Sequence, residues 1–317
     1  LKTLKLERLT ILLPLFLLLV FLNPIYAETE VLKTEVLKTE DIIVLFEEPL
    51  RNVAEEVEKL YPLVKEELVD KLKWDVDFRP EVVLVKDKDI MMRMEGSDLI
   101  VAFAVPDRNL IVLDTSRIYT KPFTLEATLK HELCHLLLHS NIESEKLPRW
   151  LDEGVCQWAS GGVAELMAND GDKALAKATI SDRLISLGNL RSFPRDEKSL
   201  LLAYEESKSL VEYIVNEYGE QGILQILGYL KGGYSTDDAI RKSLSLVTSE
   251  LEMKWVAYLK RKHTWFSYLS HNLYTILFFL AALATMYGFI RILKKKRTYM
   301  DEADKENEID EDKRWNG

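Results

Sequence analysis

Apolar residues fall into three patterns along this chain. Unbroken apolar runs stand near either end, and between them the spacing alternates between strand-like and helix-like periods. The first run, Leu9 to Leu22, follows Lys2, Lys5 and Arg8 and leads to Ile25-Tyr26-Ala27. A basic start, an apolar stretch and a small terminal residue are the layout of a secretory signal peptide, or of an anchor left uncleaved. The second run, Leu273 to Leu293, has the roughly 20 residues needed to cross a hydrocarbon core. Trp265, Phe266, Tyr268 and Tyr274 precede it as an interfacial aromatic belt, and Lys294-Lys295-Lys296-Arg297 follows at once. Basic flanks stay cytoplasmic, so both runs place the intervening chain outside the cytoplasm.

That intervening chain predicts a mixed fold. Asp41 to Phe46 and Val82 to Val85 read as strands, and Leu99–Val105 and Leu110–Leu113 read as a pair around Pro106-Asp107-Arg108-Asn109. Val53, Val57, Leu60, Val64 and Leu68 form one face of a helix over Leu50 to Leu72, which Pro62 is expected to bend or interrupt. A further helix begins near Pro122, with Thr124 or Glu126 serving its exposed amides. Beyond Gly161-Gly162 the period is helical. One helix runs Leu200 to Tyr218 and ends at Gly219 and Gly222, another ends at Gly232-Gly233, and Ser249-Glu250-Leu251-Glu252 has capping-box spacing for the last. The tandem Val-Leu-Lys-Thr-Glu units at 31–35 and 36–40 are too short for a solenoid and read as a linker. Asp301 to Trp315 mixes acids and bases without apolar pattern and reads as a disordered tail.

With 317 residues, the chain can build one domain of about 220 residues plus these accessory segments. A net charge of −10, with no basic patch interleaved with aromatics, argues against a nucleic-acid partner. Cys134 and Cys156 are the only cysteines, too few for a cysteine-based structural zinc.

The chemistry concentrates in His131-Glu132-Leu133-Cys134-His135. Residues four apart on a helix sit about 6 Å apart along one face, so two imidazoles can share one ion. Glu132 then stands to the side, where it can take a proton from zinc-bound water. Leu125, Leu129, Leu133, Leu136 and Leu137 would bury this helix, and buried imidazoles and carboxylates need partners, which a metal supplies. A catalytic zinc commonly takes a third protein ligand. Glu153, on a second helix starting near Pro148, is the candidate; Asp152 points about 100° away from it. Taken alone, that segment reads better as a Trp-anchored helix start with acids at its positive end, acids that need no metal. His139 is about 12 Å along the axis from His131, too far to share the ion, and suits the helix C-terminus and its exposed carbonyls.

Together, the His131–His135 motif and Trp150-Leu151-Asp152-Glu153-Gly154 resemble the gluzincin metallopeptidases, specifically the peptidase MA-like group. The resemblance extends from roughly Asp41 to Lys260 and includes the Tyr204-centred stretch of the helical half. It implies zinc held by His131, His135 and Glu153, with Glu132 as general base. It also implies Tyr204 as a candidate donor to the oxyanion, with core packing the competing role and Tyr234 a weaker substitute. The paired strands would lie beside the zinc cleft, where an extended peptide could add as a further strand. Met94-Glu95-Gly96 lacks the Gly and Asn that flank the amino-terminus-binding glutamate of gluzincin aminopeptidases, which favours internal cleavage over amino-terminal trimming. Outside the cytoplasm Cys134 and Cys156 could form a disulfide, which the convergence of their helices on one metal allows but does not require. In the family the Cys156 position usually holds a small residue, so two buried, unpaired thiols are the expectation.

The expected fold class is α+β: a zincin-like domain with a small sheet beside the metal-binding helix, a helical C-terminal half and a C-terminal transmembrane helix. The expected boundaries are a signal peptide or anchor over 1–27, a linker over 28–40, the metallopeptidase domain over 41–262, the span over 273–293 and a cytoplasmic tail over 294–317. The expected function is a membrane-anchored, extracytoplasmic zinc peptidase acting on peptides or proteins. The competing reading is a non-catalytic zincin-like scaffold of the cell envelope.

Overall fold

A computed structural model describes residues 34–86, 100–121, 123–161, 171–263 and 272–315 of the chain. The expected signal segment, Met94-Glu95-Gly96, Pro122 and the aromatics Trp265, Phe266 and Tyr268 lie outside the described residues.

Five strands form one sheet in the order β1-β2-β3-β5-β4: β1 Thr34–Lys38, β2 Ile43–Glu47, β3 Glu81–Val85, β4 Ala102–Val105 and β5 Leu110–Asp114. Its centre is parallel (β2 with β3, β3 with β5), and each edge is an antiparallel partner. β1 falls inside the stretch expected to be a linker. Its residues alternate between exposed and half-buried, a period of two that the five-residue repeat masks. The turn into β2 is held by Thr39, whose Oγ1 accepts the N–H groups of Asp41 and Ile42 at 3.3 and 3.2 Å.

Val44, Phe46, Val82, Leu84, Ile111 and Leu113 point from the sheet into the main core. There they meet helix α1, Arg51–Leu72, which buries Ala54, Val57, Tyr61, Val64, Leu68 and Leu72 at three- and four-residue spacing. Pro62 does not interrupt α1. It lies on the exposed side, between buried Tyr61 and Val64, so the lost amide bond falls on the solvent face. The helix stops at Lys73, whose left-handed backbone (φ 59°) returns its N–H to the Val69 carbonyl.

Helix α2, Leu125–Asn141, begins where the Thr124 hydroxyl accepts the Ala127 N–H at 3.1 Å. It packs on α1 and β4 and is buried on nearly every side from Thr128 to Leu138. Helix α3, Arg149–Ala159, follows a short loop and packs against α2 and against α5. Helix α4 spans Gly171–Ile180 and α5 spans Glu197–Lys231, the latter capped by Asp196 accepting the Ser199 N–H. Gly219 kinks α5 with a backbone (φ 72°, ψ 169°) closed to other residues, as its position suggests. Gly222 does not end the helix; it is buried where α5 passes close to Leu244.

Helices α6, Thr236–Leu244, and α7, Thr248–Lys262, complete the helical half. The cap of α7 lies two residues earlier than the Ser249–Glu252 spacing suggests. Glu250 reaches back to the Val247 N–H at 3.1 Å, and Glu252 instead accepts the Leu187 N–H at 3.2 Å. Helix α8 runs Leu273–Trp315, so the stretch expected to be a disordered tail continues the apolar helix. Its Leu273–Arg297 portion, mean hydropathy 2.1 and with none of its window buried, is long and apolar enough to cross a membrane.

Candidate active site

Two helices build the site. On α2, the four-residue spacing puts His131 and His135 one above the other, with Nε2 atoms 3.1 Å apart. On α3, Glu153 is one turn in from the helix start and brings Oε2 to 3.6 Å from each of those nitrogens. Donors about 2.0–2.2 Å from one tetrahedral ion stand about 3.3–3.6 Å from one another, so the three atoms fit a single zinc. The donor chemistry also fits. Both oxygens of Glu153 are buried with no hydrogen-bond partner among the described residues; Oε1 has the Arg149 guanidinium at ion-pair distance, and Oε2 is left in a position a cation would satisfy. The four motif residues are almost wholly enclosed: His131 is 1% exposed, Glu132 0%, His135 4% and Glu153 0%.

Asp152 takes a different place from its neighbour. Its Oδ1 accepts a hydrogen bond from His135 Nδ1 at 2.7 Å, leaving Nε2 as the ring's free donor atom for a metal. Its Oδ2 lies 3.1 Å from His139 Nε2. His139 therefore serves a side chain rather than the helix-end carbonyls expected of it, and its Nδ1 lies 3.1 Å from Ser144 Oγ. The Arg149 Nη2 atom lies 2.5 Å from Oε1 of Glu153. Burial pushes the Asp152 and Glu153 carboxyls up, but the surrounding charge outweighs it. His135 holds Asp152 well below the usual carboxylate range, and Arg149 followed by His135 does so for Glu153. Both are anions in this setting, the form in which a carboxylate binds metal or orients a histidine.

Cys134 and Cys156 are joined in a disulfide with Cα atoms 5.4 Å apart, in place of the two free thiols expected. The reason is where they sit. Cys134 lies one residue from His135 on α2, and Cys156 lies three residues past Glu153 on α3, so the convergence that assembles the metal donors also apposes the sulfurs.

Tyr204, the candidate oxyanion donor, lies on α5. Its ring is buried with Ile100, Phe103 and Val112, edge-on to Phe193 at 5.1 Å between centroids. Its backbone carbonyl accepts a hydrogen bond from Gln157 of α3. Tyr234 is exposed and stacks on Tyr229. Edge strand β4 packs beside α2. Sequence reasoning set Asp152 aside and passed over Arg149. A signal was available for Arg149, which stands four residues before Glu153 on the same helix.

No curated protein matches the chain. Among solved structures, a mutant of an M1 zinc metallopeptidase from Deinococcus radiodurans is similar at 13% identity with a TM-score of 0.42. That similarity covers 71% of this chain and 52% of the other, so the chain spans about half the length of that protein. The family model described as Peptidase MA superfamily matches residues 96–261, a stretch holding the α2 motif, Glu153 and all of α3 to α6. More than half of the sequence thus carries that family's pattern, and the chain belongs to the Peptidase MA superfamily.

Proposed function

We propose that the protein is a membrane-anchored zinc peptidase whose domain over 41–262, extended at its start by β1, works outside the cytoplasm. The observation that carries this reading is the meeting of His131 Nε2, His135 Nε2 and Glu153 Oε2, drawn from two helices, within bonding range of one ion. When bound there, zinc supplies Lewis acidity, which acidifies water and polarises a peptide carbonyl. The chain does the rest. Asp152 holds the His135 ring in its productive tautomer. Glu132, adjacent to His131 and fully enclosed, accepts a proton from the attacking water and delivers it to the leaving amine. The apolar surroundings of Tyr204 favour packing over oxyanion donation. Internal cleavage is the favoured mode, on the sequence of the 94–96 segment, with peptides or proteins as substrates.

Location rests on three features: the apolar 1–27 segment, the apolar stretch of α8 ahead of Lys294–Arg297, and the disulfide, which persists in oxidising compartments. The test is metal analysis of the full chain in detergent beside a peptide-library digest, repeated with Glu132→Gln. The parent is expected to hold one zinc and cleave. The variant is expected to hold zinc and to cleave about 10²–10⁴-fold more slowly. Full cleavage by the variant overturns the base assignment, and zinc without cleavage in the parent points to the scaffold reading.

A further inference from the structure

The two oxygens of Glu153 are treated differently by their surroundings. Oε2 faces the imidazole nitrogens at 3.6 Å, while Oε1 is engaged by Arg149 Nη2 at 2.5 Å. The same guanidinium stands 3.7 Å from Oδ2 of Asp152, the residue that holds His135. It also lies over the Phe193 ring, 5.8 Å from Cζ to centroid. One arginine thus touches a candidate metal-binding carboxylate and the carboxylate that orients a candidate metal-binding histidine. An ordinary pair four residues apart on a helix surface does little, because both partners are hydrated. Here the acid is fully buried and only the arginine reaches solvent.

We propose that Arg149 is a positioning residue of the metal centre, taking Oε1 of Glu153 so that this carboxylate meets the metal through Oε2 alone. The inference rests on His131, His135 and Glu153 being the metal-binding set. With Oε1 occupied, Glu153 supplies one bond, which leaves room at the ion for water and for the substrate carbonyl. Without Arg149 the carboxylate is free to turn and bind through both oxygens, filling that room.

Cobalt reports both affinity and coordination number without requiring turnover. The full chain and its Arg149→Met and Arg149→Lys variants are titrated with Co²⁺ against a chromophoric chelator, and the visible spectrum of each cobalt form is recorded. Met keeps an unbranched stem and removes charge and donors; Lys restores the charge. The expected result for Arg149→Met is a loss of about 10–100-fold in Co²⁺ affinity, typical of a group that supports a metal ligand. Its visible absorption should also weaken as the coordination number rises, with Arg149→Lys recovering most of the affinity. A Met variant that matches the parent in both affinity and spectrum overturns the role of Arg149 while leaving the ligand set standing. A parent chain that takes up no cobalt overturns the ligand set, and this inference with it.

Discussion

Glu206 shows how one buried carboxyl sets a pH dependence far from the chemistry. It is fully enclosed on α5, and its two oxygens accept the Ile185 N–H at 3.0 and 3.2 Å. Burial pushes its pKa up to about 8, against the Ile185 hydrogen bond and with help from the nearby Glu252 charge. An unfolded glutamate releases its proton near 4.5, so between there and about 8 the folded chain keeps a proton that the unfolded chain has lost. The contribution to stability is complete below the lower value and disappears as pH rises to the upper one. Glu206→Gln keeps an acceptor for Ile185 and cannot ionise. Its unfolding free energy, measured by denaturant at pH 5, 6, 7 and 8, should lack the decline the parent shows, which is at most about 1.4 kcal/mol per pH unit. Equal slopes for the two proteins would falsify this account. None of this was legible in the sequence, because Glu206 is an ordinary position in a helical pattern until the 182–188 loop folds over it. The motif histidines stood out because their four-residue spacing is itself the geometry, whereas Glu153 stood out only through the resemblance to the family pattern, its own segment reading better as an acidic helix start. Asp152 and Arg149 did not, since their tasks exist only once α2 and α3 meet.

At the scale of elements, α3 depends on Gly154. A methyl group built there would stand 2.5 Å from the Ser207 carbonyl oxygen and 2.6 Å from Val211 Cγ2, both on α5. No flexible side-chain end is available to yield to the first of these contacts, so Gly154→Ala must separate the helices. We expect a loss of about 1–3 kcal/mol of stability by thermal or chemical denaturation. Zinc binding should weaken as well, because Glu153 precedes the displaced residue; a variant with parental stability and zinc content argues against the close approach. The helices were legible in the sequence as far as their periodicity carried them. Pro62 misled because the rule about proline says nothing of which side of a helix it faces. β1 was hidden for another reason: the Val-Leu-Lys-Thr-Glu repeat drew attention to its period of five, while the strand uses a period of two.

At the scale of the molecule, the superfamily pattern begins at residue 96, so β1 to β3 and α1 lie ahead of it, yet they supply three of the five sheet strands and the helix against which α2 packs. The helix that carries the His131–His135 motif is therefore seated on a platform that the family pattern does not include. The apolar stretch of α8 was legible from composition alone, whereas its continuation to Trp315 was not, because charged residues without periodicity carry no sign of helix.

The Cys134–Cys156 bridge fastens α2 to α3 covalently, beside the place where the proposed ion would join them. The bridge limits the freedom of the unfolded chain, whereas an ion held at His131, His135 and Glu153 would stabilise the folded one, so the two act on different states. Closing a loop of this size is worth about 3 kcal/mol in the chain-entropy picture. The Cys134→Ala/Cys156→Ala double variant should lose about that much when stripped by a chelator, and at least as much in excess zinc, because a site that is not held in shape binds the ion no better. Unfolding midpoints taken with and without chelator would show it as a gap between the two proteins that does not close on loading. A covalent clasp of this kind keeps the receptacle in shape before any ion arrives, and the ion has only to drop in.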